Sequence, residues 1–259
     1  MFKLNIGNSP TRVPFISNNL LDAYAEALVA DFSQEFLKYP GIINVEAFIE
    51  YYLGLSIRYL HICYDRKVLG MTAFNNGMLD VIDDETGLPD SVPVTAGTVI
   101  IDTSLTTKRN LPRLRFTAMH EAGHWLIHRE AFAEDNLYGP AGVYENKYLA
   151  AKEGHIDYSR SKKQWTVADR MERQADFLSS ALLMPRPALR EAYRQFFRLH
   201  NDKPRKVIKG KSKTDNFYAA KLPEFVSGLF GVSKRAALIR LEKLQAIVDC
   251  GTELAQAVC

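Results

Sequence analysis

The stretch "FTAMHEAGHWLIH", residues 116–128, carries three of the six histidines of the chain, His120, His124 and His128, each four residues from the next. Wound as a helix, it puts His120, Glu121 and His124 on one arc with Thr117 and His128. Phe116, Met119, Ala122, Gly123, Leu126 and Ile127 fall on the other side. The histidines therefore face away from the apolar stripe, into whatever packs opposite. Two imidazoles one turn apart can converge on a single tetrahedral zinc ion, and Glu121, next to the first of them, is placed to take a proton from an activated water. His128 points the same way, but eight residues of helix rise about 12 Å, too far to share an ion with His120 at bonds of ~2 Å. No glycine breaks the helix between His124 and His128. The expected role of His128 is to support a ligand or to pack.

A third ligand has to come from elsewhere. Downstream, "TVADRMERQADFLSSALLMP" (residues 166–185) reads as a helix, with Thr166 as N-cap, Asp169 in its first turn and Pro185 as its stop. Ala168, Met171, Ala175, Leu178, Ala181 and Leu182 make its core stripe. Glu172 and Asp176 lie one turn apart at the edge of that stripe, where they can face the histidine helix. Glu172 is the preferred ligand, with Asp169, Asp176 and His155 as competitors. Asp176 suits a carboxylate that orients a ligand histidine through its other ring nitrogen.

Around these two helices the chain punctuates itself clearly. Apolar residues at helical spacing from Asn18 to Lys38 predict a helix stopped by Pro40-Gly41, and a second is expected over Val45–Leu53, ending at Gly54. "LSIRYLHICY" (55–64) and "TVIIDTSL" (98–105) read as strands, and "VLGMTAF" and "MLDVID" as a hairpin turning at Asn75-Asn76-Gly77. A long polar connection is expected over about 129–165. The lysine-rich run "NDKPRKVIKGKSKTDN" (201–216) reads as a flexible basic loop. In "LPEFVSGLFGVSKRAALIRLEKLQAIV" (222–248) one helix ends at Gly231 and Ser233 caps the next, the cadence of a helix-turn-helix. Lys234, Arg235 and Arg240 give it only a modest basic face, so packing or protein recognition is favoured over direct nucleic-acid binding.

Composition narrows the class. With 33 basic and 30 acidic residues, overall charge argues for neither a nucleic-acid nor a membrane partner. Cys63, Cys250 and Cys259 form neither a disulfide framework nor a cysteine zinc site, which suits a reducing compartment. No apolar run is long enough to span a bilayer, and "MFKLNIGNSPTRVPF" lacks the apolar core of a signal peptide. A cytoplasmic location is expected.

Together, "RFTAMHEAGHWLIH" and "ERQADFLSSALLMP" resemble the ImmA/IrrE-type zinc metallopeptidases, minimal gluzincins found in bacteria and their mobile elements. The resemblance covers roughly residues 42–190 and, weakly, 222–248. It implies His120 and His124 as zinc ligands, Glu121 as the catalytic carboxylate and Glu172 as the third ligand, with "TVIIDTSL" as the strand before the motif. It also implies a regulatory protein as substrate, often a helix-turn-helix repressor encoded nearby. Two departures stand out. The connection between His124 and Glu172 is longer than usual and carries Tyr138, Tyr144, Tyr148, His155 and Tyr158, which suggests an added loop over the cleft. Position 176 is Asp where Asn is commoner.

The fold expected is α+β: a small zincin-like core with a short mixed or antiparallel sheet and active-site helices, followed by a helix-turn-helix-like unit. The divisions expected are a helical extension (1–41), the peptidase domain (42–200), the basic loop (201–216) and the C-terminal helices (217–259). Tyr148, His155 and Tyr158 are candidates, by residue type alone, to donate to the oxyanion that peptide hydrolysis creates. The alternative from another class is a DNA-associated regulatory or antitoxin-like module that keeps the metal fold without turnover.

Overall fold

Ser17 starts the first helix, α1 (Asn18–Phe32), by accepting a hydrogen bond from the Leu20 amide at 3.2 Å. The computed structural model describes residues 13–132, the main chain of 148–152, and residues 165–251. The single helix expected over 18–38 is two, because the backbone turns extended at Ser33 before α2 (Glu35–Lys38). Asn44 caps α3 (Val45–Ala47), which widens at once into a π-helical turn over Phe48–Tyr52, where an α-helix was expected.

The strands that follow are β1 (Ser56–Leu60), β2 (Val68–Ala73), β3 (Gly77–Ile82), β4 (Pro89–Val94) and β5 (Thr98–Asp102). With β6 (Tyr148–Lys152) they build a sheet in the order β1-β5-β2-β6, in which β1 runs parallel to β5 and the other pairs are antiparallel. The expected hairpin of β2 with β3 does not form. Asn75 and Asn76 are used instead to tie loops, Asn75 donating to the Phe132 carbonyl and Asn76 accepting from the Ala96 amide. β3 pairs with β4, across a turn in which the Asp83 carboxylate accepts from the Thr86 amide at 2.7 Å and Gly87 takes φ 68°. Two prolines, Pro89 and Pro93, hide β4 from a pattern search for strands. β6 lies within the stretch expected to be polar connection.

Every residue of β5 is buried, since both sheet faces are covered. Val99 and Ile101 point into the main core with the helices, while Ile100 meets Met71, Leu79, Val81 and Val94 under the β3–β4 ribbon. Against the helical face lies α4 (Leu111–His128), and on α4 lies α5 (Val167–Leu183), with α1 packed on α5 in turn. α4 is thus a buried middle layer. Its histidine arc is as enclosed as its apolar side, with Glu121, His124 and His128 fully out of solvent.

Pro185 ends α5 and opens α6 (Arg186–Leu199), which is absent from the expected elements. The run 201–216 is not a free loop: it holds β7 (Val207–Lys209) and begins α7 (Lys213–Phe230). Its lysines are exposed, but Asp215 anchors it from within, accepting from Ser212, Arg205 and the Ile208 amide. Gly231, at φ 62°, closes α7, and Ser233 caps α8 (Lys234–Lys243), as the sequence predicts. β8 (Ile247–Asp249) then returns to pair in parallel with β7. Arg240, assigned above to a basic face, is fully buried, with its guanidinium 2.5 Å from Asp22 of α1. Among the described residues no helix is long and apolar enough to cross a membrane.

Candidate metal centre

α4 and α5 meet through two small residues, Gly123 and Ala175. A Cβ built on Gly123 would lie 3.5 Å from the Ala175 Cα. Gly123 sits between His120 and His124, and Ala175 between Glu172 and Asp176, so this contact sets the four polar residues face to face. His120 Nε2 is 2.9 Å from His124 Nε2 and 3.2 Å from Glu172 Oε2, and His124 Nε2 is 3.5 Å from Glu172 Oε1. The potential ligand atoms of His120, His124 and Glu172 all lie within 4.8 Å of one another.

The chemistry of this donor set fits a cation. Asp176 Oδ1 lies 3.0 Å from His120 Nδ1 and, as a carboxylate, accepts its proton, so that His120 Nε2 faces the centre, where a cation can replace a proton. Two imidazoles and a carboxylate converging there are the ligand types of zinc sites, and three protein ligands leave one position of a tetrahedron open. Electrostatics agrees. Burial pushes the His120 imidazole down, but the Asp176 and Glu172 carboxylates outweigh it and hold His120 well above its ordinary value, so the pocket attracts positive charge. Burial alone would raise Glu172, yet its hydrogen bonds with His120 and His124 hold it far below the usual carboxylate range. For His124 burial dominates and the shift is downward.

Glu121 faces the sheet side of α4. Its Oε2 lies 2.8 Å from the Thr72 hydroxyl of β2, and the described residues offer its buried Oε1 no hydrogen-bond partner. Burial pushes its carboxyl up to about 8, opposed only in part by His120 and Thr72. A group of this kind can take up and release a proton near neutrality. β2 comes this close because residue 70 is Gly: a Cβ there would stand 2.6 Å from Thr117 Cγ2 and 3.0 Å from Glu121 Cγ.

Of the other predicted residues, Asp169 is not in the centre; it closes a capping box with Thr166, accepting from the Thr166 amide at 2.9 Å. Asp176 stands behind His120, where an orienting carboxylate was expected. His128 lies behind His124, with their Nδ1 atoms 3.0 Å apart. Burial, reinforced by His124, pushes the His128 imidazole down to about 3. Tyr148 falls on β6, opposite Ala73 of β2. Tyr138, Tyr144, His155 and Tyr158 lie outside the described residues.

Three contributors escaped the sequence reading. Thr72 and Gly70 give no local sign, because what they touch is fifty residues away. Gln174 did leave a sign: it is a polar residue three after Met171 and four before Leu178, on the buried side of α5.

Residues 98–242, more than half of the chain, match the family model described as Peptidase_M78, IrrE N-terminal-like domain. The match begins at β5, spans α4 and α5 with the whole candidate centre, and runs nearly to the end of α8. The chain has no match among the curated proteins.

Proposed function

The chain belongs to the Peptidase_M78 family, that of the IrrE N-terminal-like domain, and on that premise we propose that it is a zinc-dependent endopeptidase that cleaves a regulatory protein. The observation that carries this reading is the convergence of His120, His124 and Glu172 beside a buried, half-partnered Glu121. When bound, zinc supplies a Lewis acid that polarises a peptide carbonyl and brings the pKa of water close to neutrality.

The protein's own residues supply the rest. His120, held by Asp176, and His124 present their Nε2 atoms, and Glu172 presents its carboxylate. Glu121 takes the proton of the attacking water on Oε1 while Thr72 holds Oε2, then delivers it to the nitrogen of the departing amine.

The regulatory substrate, with a helix-turn-helix repressor as the first candidate, and the cytoplasmic location follow from the resemblance and from cysteine usage. A DNA-reading role for α8 is disfavoured by the burial of Arg240.

Glu121→Gln tests the reading. The variant is expected to keep zinc, measured by elemental analysis, and to lose cleavage of a repressor encoded beside its gene. Undiminished cleavage by that variant would refute the proposed role of Glu121. Unchanged repression or DNA binding, with no cleavage by the native chain, would favour the regulatory alternative.

A further inference from the structure

Behind the candidate centre runs a line of buried polar contacts that no other part of the proposed mechanism uses. His124 Nδ1 lies 3.0 Å from His128 Nδ1, His128 Nε2 lies 2.9 Å from Gln174 Oε1, and Gln174 Nε2 lies 2.7 Å from the Pro14 carbonyl oxygen. His124, His128, Gln174 and Pro14 are all buried.

Only one atom in this line has a role fixed by covalent structure, and it is the last. A backbone carbonyl oxygen can only accept, so the Gln174 amide nitrogen must face it. That turns Gln174 Oε1, an acceptor, toward His128 Nε2, which must therefore carry hydrogen. Fully enclosed between uncharged partners, His128 is neutral and has one ring hydrogen to place. Its Nδ1 is then bare and accepts from His124, whose own hydrogen must sit on Nδ1. His124 Nε2 is left as a lone pair, pointing at His120 and Glu172. The far end stays in place because Val13 packs, fully buried, with Phe74, Ala131, Phe132 and Met171.

We propose that Pro14, Gln174 and His128 are positioning residues through which the N-terminal segment fixes the tautomer of His124 and so prepares it as a metal ligand. This rests on the reading of the centre as a zinc site. It makes the segment before α1 part of that site, although the segment contributes no ligand.

The test is zinc affinity, measured on the full chain by competition with a chromogenic chelator. Gln174→Met, which keeps bulk and removes the acceptor, and His128→Phe are each expected to weaken zinc binding about 10- to 100-fold. The double variant should bind no more weakly than the worse single one, since both break one line. Long-range proton–nitrogen NMR of the native chain provides a readout that needs no variant: His128 is expected with hydrogen on Nε2 and His124 with hydrogen on Nδ1. Variants that bind zinc as tightly as the native chain, additive losses, or the opposite tautomer of His128 would each overturn the proposal. A native chain that binds no zinc would instead remove the peptidase reading, and this inference with it.

Discussion

The hydroxyl of Thr72, in the middle of the sheet, lies 2.8 Å from one carboxylate oxygen of Glu121 on α4 and 2.9 Å from that residue's own carbonyl oxygen. One side chain on β2 thus fixes where the proposed proton carrier stands. Thr72→Val keeps the shape and removes the hydrogen bond. Cleavage is expected to slow about tenfold, a fraction of what general-base catalysis contributes, with zinc content unchanged. An unaltered rate would show that Glu121 is held by packing alone.

Gly70 makes that contact possible. Gly70→Ala would put a methyl 2.6 Å from Thr117 Cγ2, between a central strand and a buried helix. The expected loss is about 1–3 kcal/mol of stability, with activity falling as β2 is pushed from α4. Urea unfolding followed by circular dichroism measures the first effect, and a melt identical to the native one would show that the two elements separate at no cost.

Glu172→Ala leaves His120 and His124 without their third partner. Zinc content after dialysis is expected well below one ion per chain. Full occupancy in this variant would mean that the carboxylate ligand lies elsewhere.

The Asp22–Arg240 pair joins α1 to α8 out of contact with water, with Arg240 also donating to the Met184 carbonyl at the end of α5. Arg240→Met leaves the buried Asp22 with only the longer contact to Arg186, 3.8 Å away, and is expected to cost up to about 3–5 kcal/mol, whereas Asp22→Leu with Arg240→Met should recover much of that loss. A double variant as unstable as the single one would show that the pair itself holds the helices.

Asp102 gives the fold an acid-sensitive joint. Burial pushes its carboxyl up, but hydrogen bonds from Ser104, the Ile62 amide and Arg66 outweigh this and hold it below its ordinary value. A folded pKa below the unfolded one stabilises above the unfolded value, about 3.9, and that stability is lost as pH falls through the folded value. Asp102→Asn is therefore expected to cost about 1–3 kcal/mol at neutral pH, with its difference from the native chain shrinking below about pH 4. Melting temperatures across that range decide it, and a gap that does not change with pH would exclude the linkage.

What could be read in advance was what is local in the chain. The four-residue spacing of His120 and His124 is a property of one helix, and helical rise alone separates His128 from them. The caps at Thr166, Gly231 and Ser233 are likewise written within a few residues of the ends they close. Strand partners are not local. β2 looks like half of a hairpin because Asn75-Asn76-Gly77 is good turn chemistry, yet its partners are β5 and β6, which lie further along the chain than any local signal reaches. Glu172 stands between: its helix face was visible, while its meeting with two histidines fifty residues earlier rested on resemblance. Arg240 misled, because a cation on an amphipathic helix looks like surface until its counter-ion, 218 positions away, comes into view.

The contact of Gly123 with Ala175 has a further consequence. Gly123 lies within the turn from His120 to His124 and Ala175 within the turn from Glu172 to Asp176, so the width of the gap between the helices is also the span between the candidate ligands. A methyl at residue 123 would meet Ala175 at ordinary contact distance, but bulk beyond a methyl at either position would spread His120 and His124 from Glu172 together, before any candidate ligand is changed. The interval between α4 and α5 acts as a gauge, and its setting is the small size of residues 123 and 175.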